Sequence, residues 1–270
     1  MCFVLAWGFS APAYAGPGYV ISSFEARPGY RMFVQGIYRD ASYVYAAVGD
    51  YTNNRITYLF KYTPSGSSVG LARGLPGPYL LYGDADHSAL GDGYFAIIYD
   101  ESSVRDIDLA SGSIVSSWSP FADMYGYAYI PGGAYKYVLT EGGTVYRFTV
   151  AGSLVSSFAV GWGKSLAASD RFAGRSGEFV IVAGDRAANV YSGAGSLIRT
   201  FVVPEAPYLC LKHDTAACGV GYPGECNTTF WAHLTDRMPP WDRDFVYQIS
   251  LGNGVAVAPA SVGRIKALYR

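Results

Sequence analysis

The chain has 270 residues, half of them apolar, enough to bury one large core or two small ones, and this excludes a disordered chain. Charged residues make up only 15% against 33 glycines and 24 tyrosines, a mixture suited to short strands and tight turns, so the fold class is expected to be all-β. A formal net charge of −1 offers no field for a phosphate backbone or an anionic membrane, and nucleic acid is not expected as a partner.

In chain order, the opening "MCFVLAWGFSAPAYA" (1–15) is apolar and ends in Ala13-Tyr14-Ala15, small residues at the two positions a signal peptidase reads. It is expected to be a signal peptide cleaved before Gly16, which makes the chain secreted, either extracellular or periplasmic. No later run is long and apolar enough for a membrane-spanning helix. After a Gly-Pro-Gly break comes "YVISSF" (19–24), then a repeating order of β-rich runs. Innermost strands are expected near 33–40, 79–85, 126–131, 165–171 and 207–213. Second strands are expected at 42–50, 93–100, 136–141, 178–185 and 229–236, and third strands at 55–62, 103–109, 144–150, 189–192 and 245–251.

Each third strand runs into a glycine that opens a short phrase, as in "GSIVSSW" at Gly112, "GSLVSSF" at Gly152 and "GSLIRTF" at Gly195. Counting "GYVISSF" at Gly18, "GSSVGL" at Gly66 and the weaker "GNGVAVA" at Gly252, the intervals are 48, 46, 40, 43 and 57 residues. A period in this range with strand content throughout marks a β-propeller of four-stranded blades. Five inner sets but six phrases leave the N-terminal phrase spare. Its simplest use is to pair with "FVYQISL" (245–251) and close the ring. A single five-bladed propeller over 16–258 is therefore expected, a sixth blade requiring an inner set that is not found, with a tail at 259–270.

The stretch "VYAAVGDYTNNRITYLFKYTPSGSSV" (44–69) resembles the secreted bacterial propellers grouped with NHL-like and quinoprotein-like repeats. The resemblance covers residues 18 to about 258. It implies the fold and leaves function open among binding scaffolds, lyases and assembly parts. The chain lacks the tryptophan-aspartate strand ending and the regular tryptophan docking motif that mark other propeller families.

Motifs that carry chemistry are few. "GSSVG" (66–70) has the nucleophile-elbow pattern but lies on an outer hairpin, and "GWGKS" (161–165) lacks the first glycine of a phosphate loop. No metal or other cofactor is expected, because no cysteine or histidine spacing supports one. Cys218 and Cys226 flank "GVGYPGE", read as a loop-rich insertion that a disulfide would close, while Cys210 is expected as a buried thiol. Second strands end at Asp50, Asp100, Glu141, Asp185 and Asp236, either a carboxylate ring for a cation, a sugar or a basic partner, or simply repeated turn caps.

The last blade expands its turn to "RMPPWDRD" (237–244), presenting Trp241 between two prolines and Arg237 and Arg243. "NTT" (227–229) is a glycan acceptor where the host glycosylates. The tail 261–270 carries Arg264, Lys266 and Arg270 for docking or self-assembly. These features favour a non-catalytic binding module for a glycan or protein. Alternatives are a structural subunit of an extracellular assembly, or a five-bladed glycoside hydrolase or lyase in which Asp84, Asp86 and Glu178 participate.

Overall fold

A computed structural model describes residues 20–26, 32–39, 42–50, 56–76, 86–87, 90, 93–99, 102–130, 132–161, 163, 165–172, 175–183, 187–202, 219–223, 229–236 and 243–250. These form five antiparallel four-stranded sheets. The first blade is β2 (Met32–Arg39), β3 (Val44–Asp50), β4 (Ile56–Tyr62) and β5 (Ser68–Pro76). The second is β6 (Asp86–His87), β7 (Tyr94–Tyr99), β8 (Ser103–Asp108) and β9 (Ile114–Trp118). The third is β10 (Met124–Tyr129), β11 (Tyr135–Thr140), β12 (Thr144–Thr149) and β13 (Leu154–Ala159). The fourth is β14 (Ser165–Phe172), β15 (Arg175–Ala183), β16 (Ala187–Ser192) and β17 (Leu197–Val202).

The fifth blade is β18 (Gly219–Pro223), β19 (Thr229–Asp236) and β20 (Arg243–Ser250), completed by β1 (Val20–Glu25) from the other end of the chain. β1 runs antiparallel to β20 from Val20 opposite Ile249 to Glu25 opposite Phe245. Innermost strands adjoin in the cycle β2, β6, β10, β14, β18 and back to β2. The protein is thus an all-β, five-bladed propeller closed by its N-terminal strand, as the spare phrase implies.

The phrase now has a physical reading in two halves. Its turn is a repeated cap: the Thr63 hydroxyl accepts from Ser67 N–H at 3.0 Å, Thr149 from Ser153 at 3.1 Å and Ser192 from Ser196 at 3.1 Å. The glycine between sits at φ 89°, 93° and 89° at Gly66, Gly152 and Gly195, a left-handed conformation that side chains oppose. Six residues on, the aromatic of the phrase plugs the next blade: a Cβ on Gly66 would run into Phe24, one on Gly152 into Trp118 and one on Gly195 into Phe158.

The same aromatics pack on the neighbour's third strand, Phe24 on Tyr62 at 5.3 Å, Trp118 on Phe148 at 4.9 Å and Phe158 on Tyr191 at 5.7 Å between ring centroids. Two of these seams add a bond from phenol to carbonyl, Tyr62 to Ala26 at 2.9 Å and Tyr191 to Val160 at 3.3 Å. In the seam between second and third blades the Lys136 ammonium lies over the Trp118 ring at 3.7 Å. Burial pulls its pKa below the usual lysine value, and Asp106 opposes the shift.

Two sequence expectations change. The innermost strand of the last blade is Gly219–Pro223, whereas residues 207–213 lie outside the described residues. "GVGYP" is therefore strand and not excursion; Cys218 and Cys226, for which a disulfide is expected, lie outside the described residues, as does Cys210. The loop after Asp236 is also shorter than expected, because Asp236 pairs with Arg243 and Thr235 with Asp244, so Arg243 and Asp244 belong to β20. In the second blade the described inner strand is Asp86–His87, just beyond the expected 79–85, which is not described. The signal segment and the tail, with the boundaries at 16 and 258, also lie outside the described residues.

Candidate functional site

The first hairpin of the fourth blade keeps its strands paired close to the turn, because β14 continues to Phe172 and β15 begins at Arg175. Phe172 and Phe179 are buried and pack at 5.8 Å between centroids, which anchors the extension. Within it the register slips: Ser169 faces Phe179 but Arg171 faces Ser176. Gly177, at φ 146°, takes up the slip in a conformation reserved for glycine. Such an irregularity bends a strand and re-aims neighbouring side chains.

Here it brings Asp170 and Glu178 onto one side of a cleft of about 380 Å³, with Ser176 and Gly177; Ile130, Gly133, Ala134 and Tyr135 of the third blade form the other side. Glu178 is held from the neighbouring blade. Its Oε2 accepts from Arg147 Nη2 at 2.5 Å and from Tyr137 Oη at 2.8 Å. The Arg147 guanidinium also lies over the Tyr135 ring at 3.5 Å, fixing that ring as a wall of the cleft. Gly193 makes the approach possible, since a Cβ there would stand 2.6 Å from Glu178 Oε2 and 3.0 Å from Tyr137 Oη.

Burial, with the bond to Glu178, raises the pKa of Tyr137 well above the tyrosine value of 10.0, so the phenol stays a protonated donor. A phenol whose folded pKa is raised contributes stability that is complete below about pH 10 and is lost as pH rises through the folded value. Tyr137→Phe is therefore expected to lower stability by about 1–2 kcal/mol at neutral pH and to make the decline above pH 10 shallower. Chemical denaturation at pH 7 and across the alkaline range checks this, and identical alkaline slopes in the two proteins would contradict it.

Antiparallel order puts the turns between second and third strands on the face opposite this cleft. Asp50 and Asp236 end β3 and β19 there, and Glu141 follows β11. Asp100 and Asp185 lie outside the described residues. The Glu141 carboxylate accepts from Tyr125 Oη at 3.0 Å, a bond to the inner strand of its own blade instead of a turn N–H. Arg237 and Trp241 also lie outside the described residues, in the connection between β19 and β20. Of the three carboxylates named for an enzyme, Asp86 is on β6 of the second blade, Glu178 is on β15 of the fourth, and Asp84 is not described. Asp170, which does share the cleft with Glu178, was not singled out. Its signal would have been a register slip at Gly177, which no periodicity reports.

Ring and sheet order define the class of protein, a five-bladed β-propeller with loops and a cleft on its two faces. No family model matches the chain, and no curated protein does. Among solved structures 1187 chains match, too many to point to a role. One is described as BBS1N in complex with ARL6DN: TM-score 0.43, 10% identity, covering 85% of this chain and 66% of that one. The chain thus spans a little under two thirds of that structure's length. No helix among the described residues is long and apolar enough to cross a membrane.

Proposed function

We propose that the protein is an exported, non-catalytic binding propeller of the secreted bacterial NHL-like or quinoprotein-like kind, presenting one face of its ring to a glycan or protein ligand. The observation that carries the reading is the β19–β20 connection. It has six residues, 237–242, against five at 51–55 and three at 100–102, 141–143 and 184–186, so it is the longest of the five connections between second and third strands. That loop holds Pro239, Pro240 and Trp241. Prolines lower the entropy lost on ordering, and an aromatic anchor excludes water at a contact. Export rests on the apolar opening and its Ala13-Tyr14-Ala15 ending.

A screen of glycans and proteins against the full chain and Trp241→Ala tests the reading. The expected result is a specific ligand whose affinity falls at least about tenfold in the variant without loss of folding. An equally strong hit in Trp241→Ala would return the loop to a packing role, and no hit at all would overturn the binding reading in favour of assembly.

A second reading has one observation in its favour. Asp170 and Glu178 line the same cleft, as a glycoside hydrolase or lyase pair would. Release of new reducing ends from an oligosaccharide, abolished by Glu178→Gln, would establish it.

A further inference from the structure

We propose that the cleft between the third and fourth blades is a second binding subsite, on the face opposite the Trp241 loop, and that it takes a neutral sugar residue. The inference rests on the binding reading above and adds a place and a chemical class to it.

Size is the first argument. A volume of about 380 Å³ lies at the small end of ligand pockets, about 300–1,000 Å³, which suits one or two pyranose rings better than a peptide segment. Chemistry is the second. A sugar presents hydroxyls that donate and accept in a ring around an apolar C–H face. Asp170 and Glu178 supply acceptors, Ser176 supplies a hydroxyl that does both, and Tyr135 and Ile130 supply apolar surface. No donor among the described residues reaches Glu178 Oε1, since both of its bonds converge on Oε2.

Charge is the third. Of the two acidic side chains of the cleft, Glu178 is paired with Arg147, whose guanidinium offsets its charge. A carboxylate whose charge is offset in this way still accepts hydrogen bonds, which suits a neutral, polar ligand. Preorganisation is the fourth. Arg147 and Tyr137 fix the carboxylate, Arg147 stacks Tyr135 in place, and Gly193 leaves room for both, so little ordering remains to be done on binding.

The test is ligand-observed saturation-transfer NMR on the full chain with the methyl glycosides of glucose, galactose, mannose and N-acetylglucosamine, and with cellobiose and lactose. At least one is expected to bind saturably in the millimolar range. Tyr135→Ala and Asp170→Asn are each expected to weaken it about tenfold. Ser176→Trp, which fills the cleft from an exposed position at the start of β15 and leaves the Arg147 network intact, is expected to abolish it. Trp241→Ala should leave it unchanged.

No saturable binding by any of these sugars would overturn the subsite while leaving a Trp241-dependent ligand untouched, so the two readings fail separately. Sugar binding that survives Ser176→Trp would overturn the location. Binding of lysine amide or inorganic phosphate in place of the sugars, lost in the same variants, would overturn the class. Thermal unfolding of each variant verifies folding, and Ser176→Trp decides the matter if Tyr135→Ala does not fold.

Discussion

A chain lacking residues 16–26 is expected to lose cooperative folding altogether, not merely one strand. Among the described strands β1 alone has its partner at the far end of the sequence, and its pairing with β20 joins the last blade to the first. Its loss uncovers the β20 edge. It also removes Phe24 from the Gly66 turn and from the Tyr62 ring, and takes away the Ala26 carbonyl that accepts the Tyr62 hydroxyl. Ala26 belongs to one buried cluster with Ile37, Val44, Val48 and Val246, so first and fifth blades would part along a seam of apolar side chains. One strand's pairing and two buried aromatic contacts amount to more than about 5 kcal/mol, comparable with the whole net stability of a domain. Size-exclusion chromatography and thermal circular dichroism on the deleted chain check this. A monomer that melts cooperatively within a few degrees of the full chain would show that the ring does not depend on its closing strand.

That closure was legible because it needs only counting: six glycine phrases, five inner sets, one strand left over. Turn glycines and hydroxyls recur at fixed offsets since a positive φ and a capped Ser N–H leave few residue choices. The innermost strands were harder to read. Near the ring axis β14, β18 and β2 crowd together, and small residues such as Ala167, Ala168 and Gly219 occur there, so hydrophobicity points elsewhere. "GVGYP" carries too little hydrophobicity to read as a strand for that reason.

The cleft was less legible still. Glu178 could be picked out as a carboxylate, but its partners Tyr137 and Arg147 stand 41 and 31 residues away on another blade. The slip that brings Asp170 alongside is a matter of register, set by Gly177, and leaves no periodic trace.

The other large effect is expected at the seam between third and fourth blades, where Gly195→Val should cost about 3 kcal/mol. Part of this is backbone strain: φ at Gly195 is 89°, and a Cβ in the left-handed region costs about 1–2 kcal/mol. The rest is steric, because the new Cβ would overlap the Cβ, Cγ and Cδ1 of Phe158, and overpacking of this kind costs about 1–3 kcal/mol. For a domain of this size the melting temperature should fall by roughly 6–12 °C. Phe158→Ala removes the plug and is destabilising alone. In the double variant, however, the clash is gone, so the two costs should fall short of additivity by about 1 kcal/mol or more. Gly132→Ala is the control. It has a φ of 72° with no atom within 4 Å of the added Cβ, so it should show the backbone cost alone and add to Phe158→Ala without coupling. Strict additivity between Gly195→Val and Phe158→Ala would mean that the aromatic of one phrase does not seat on the glycine of the next.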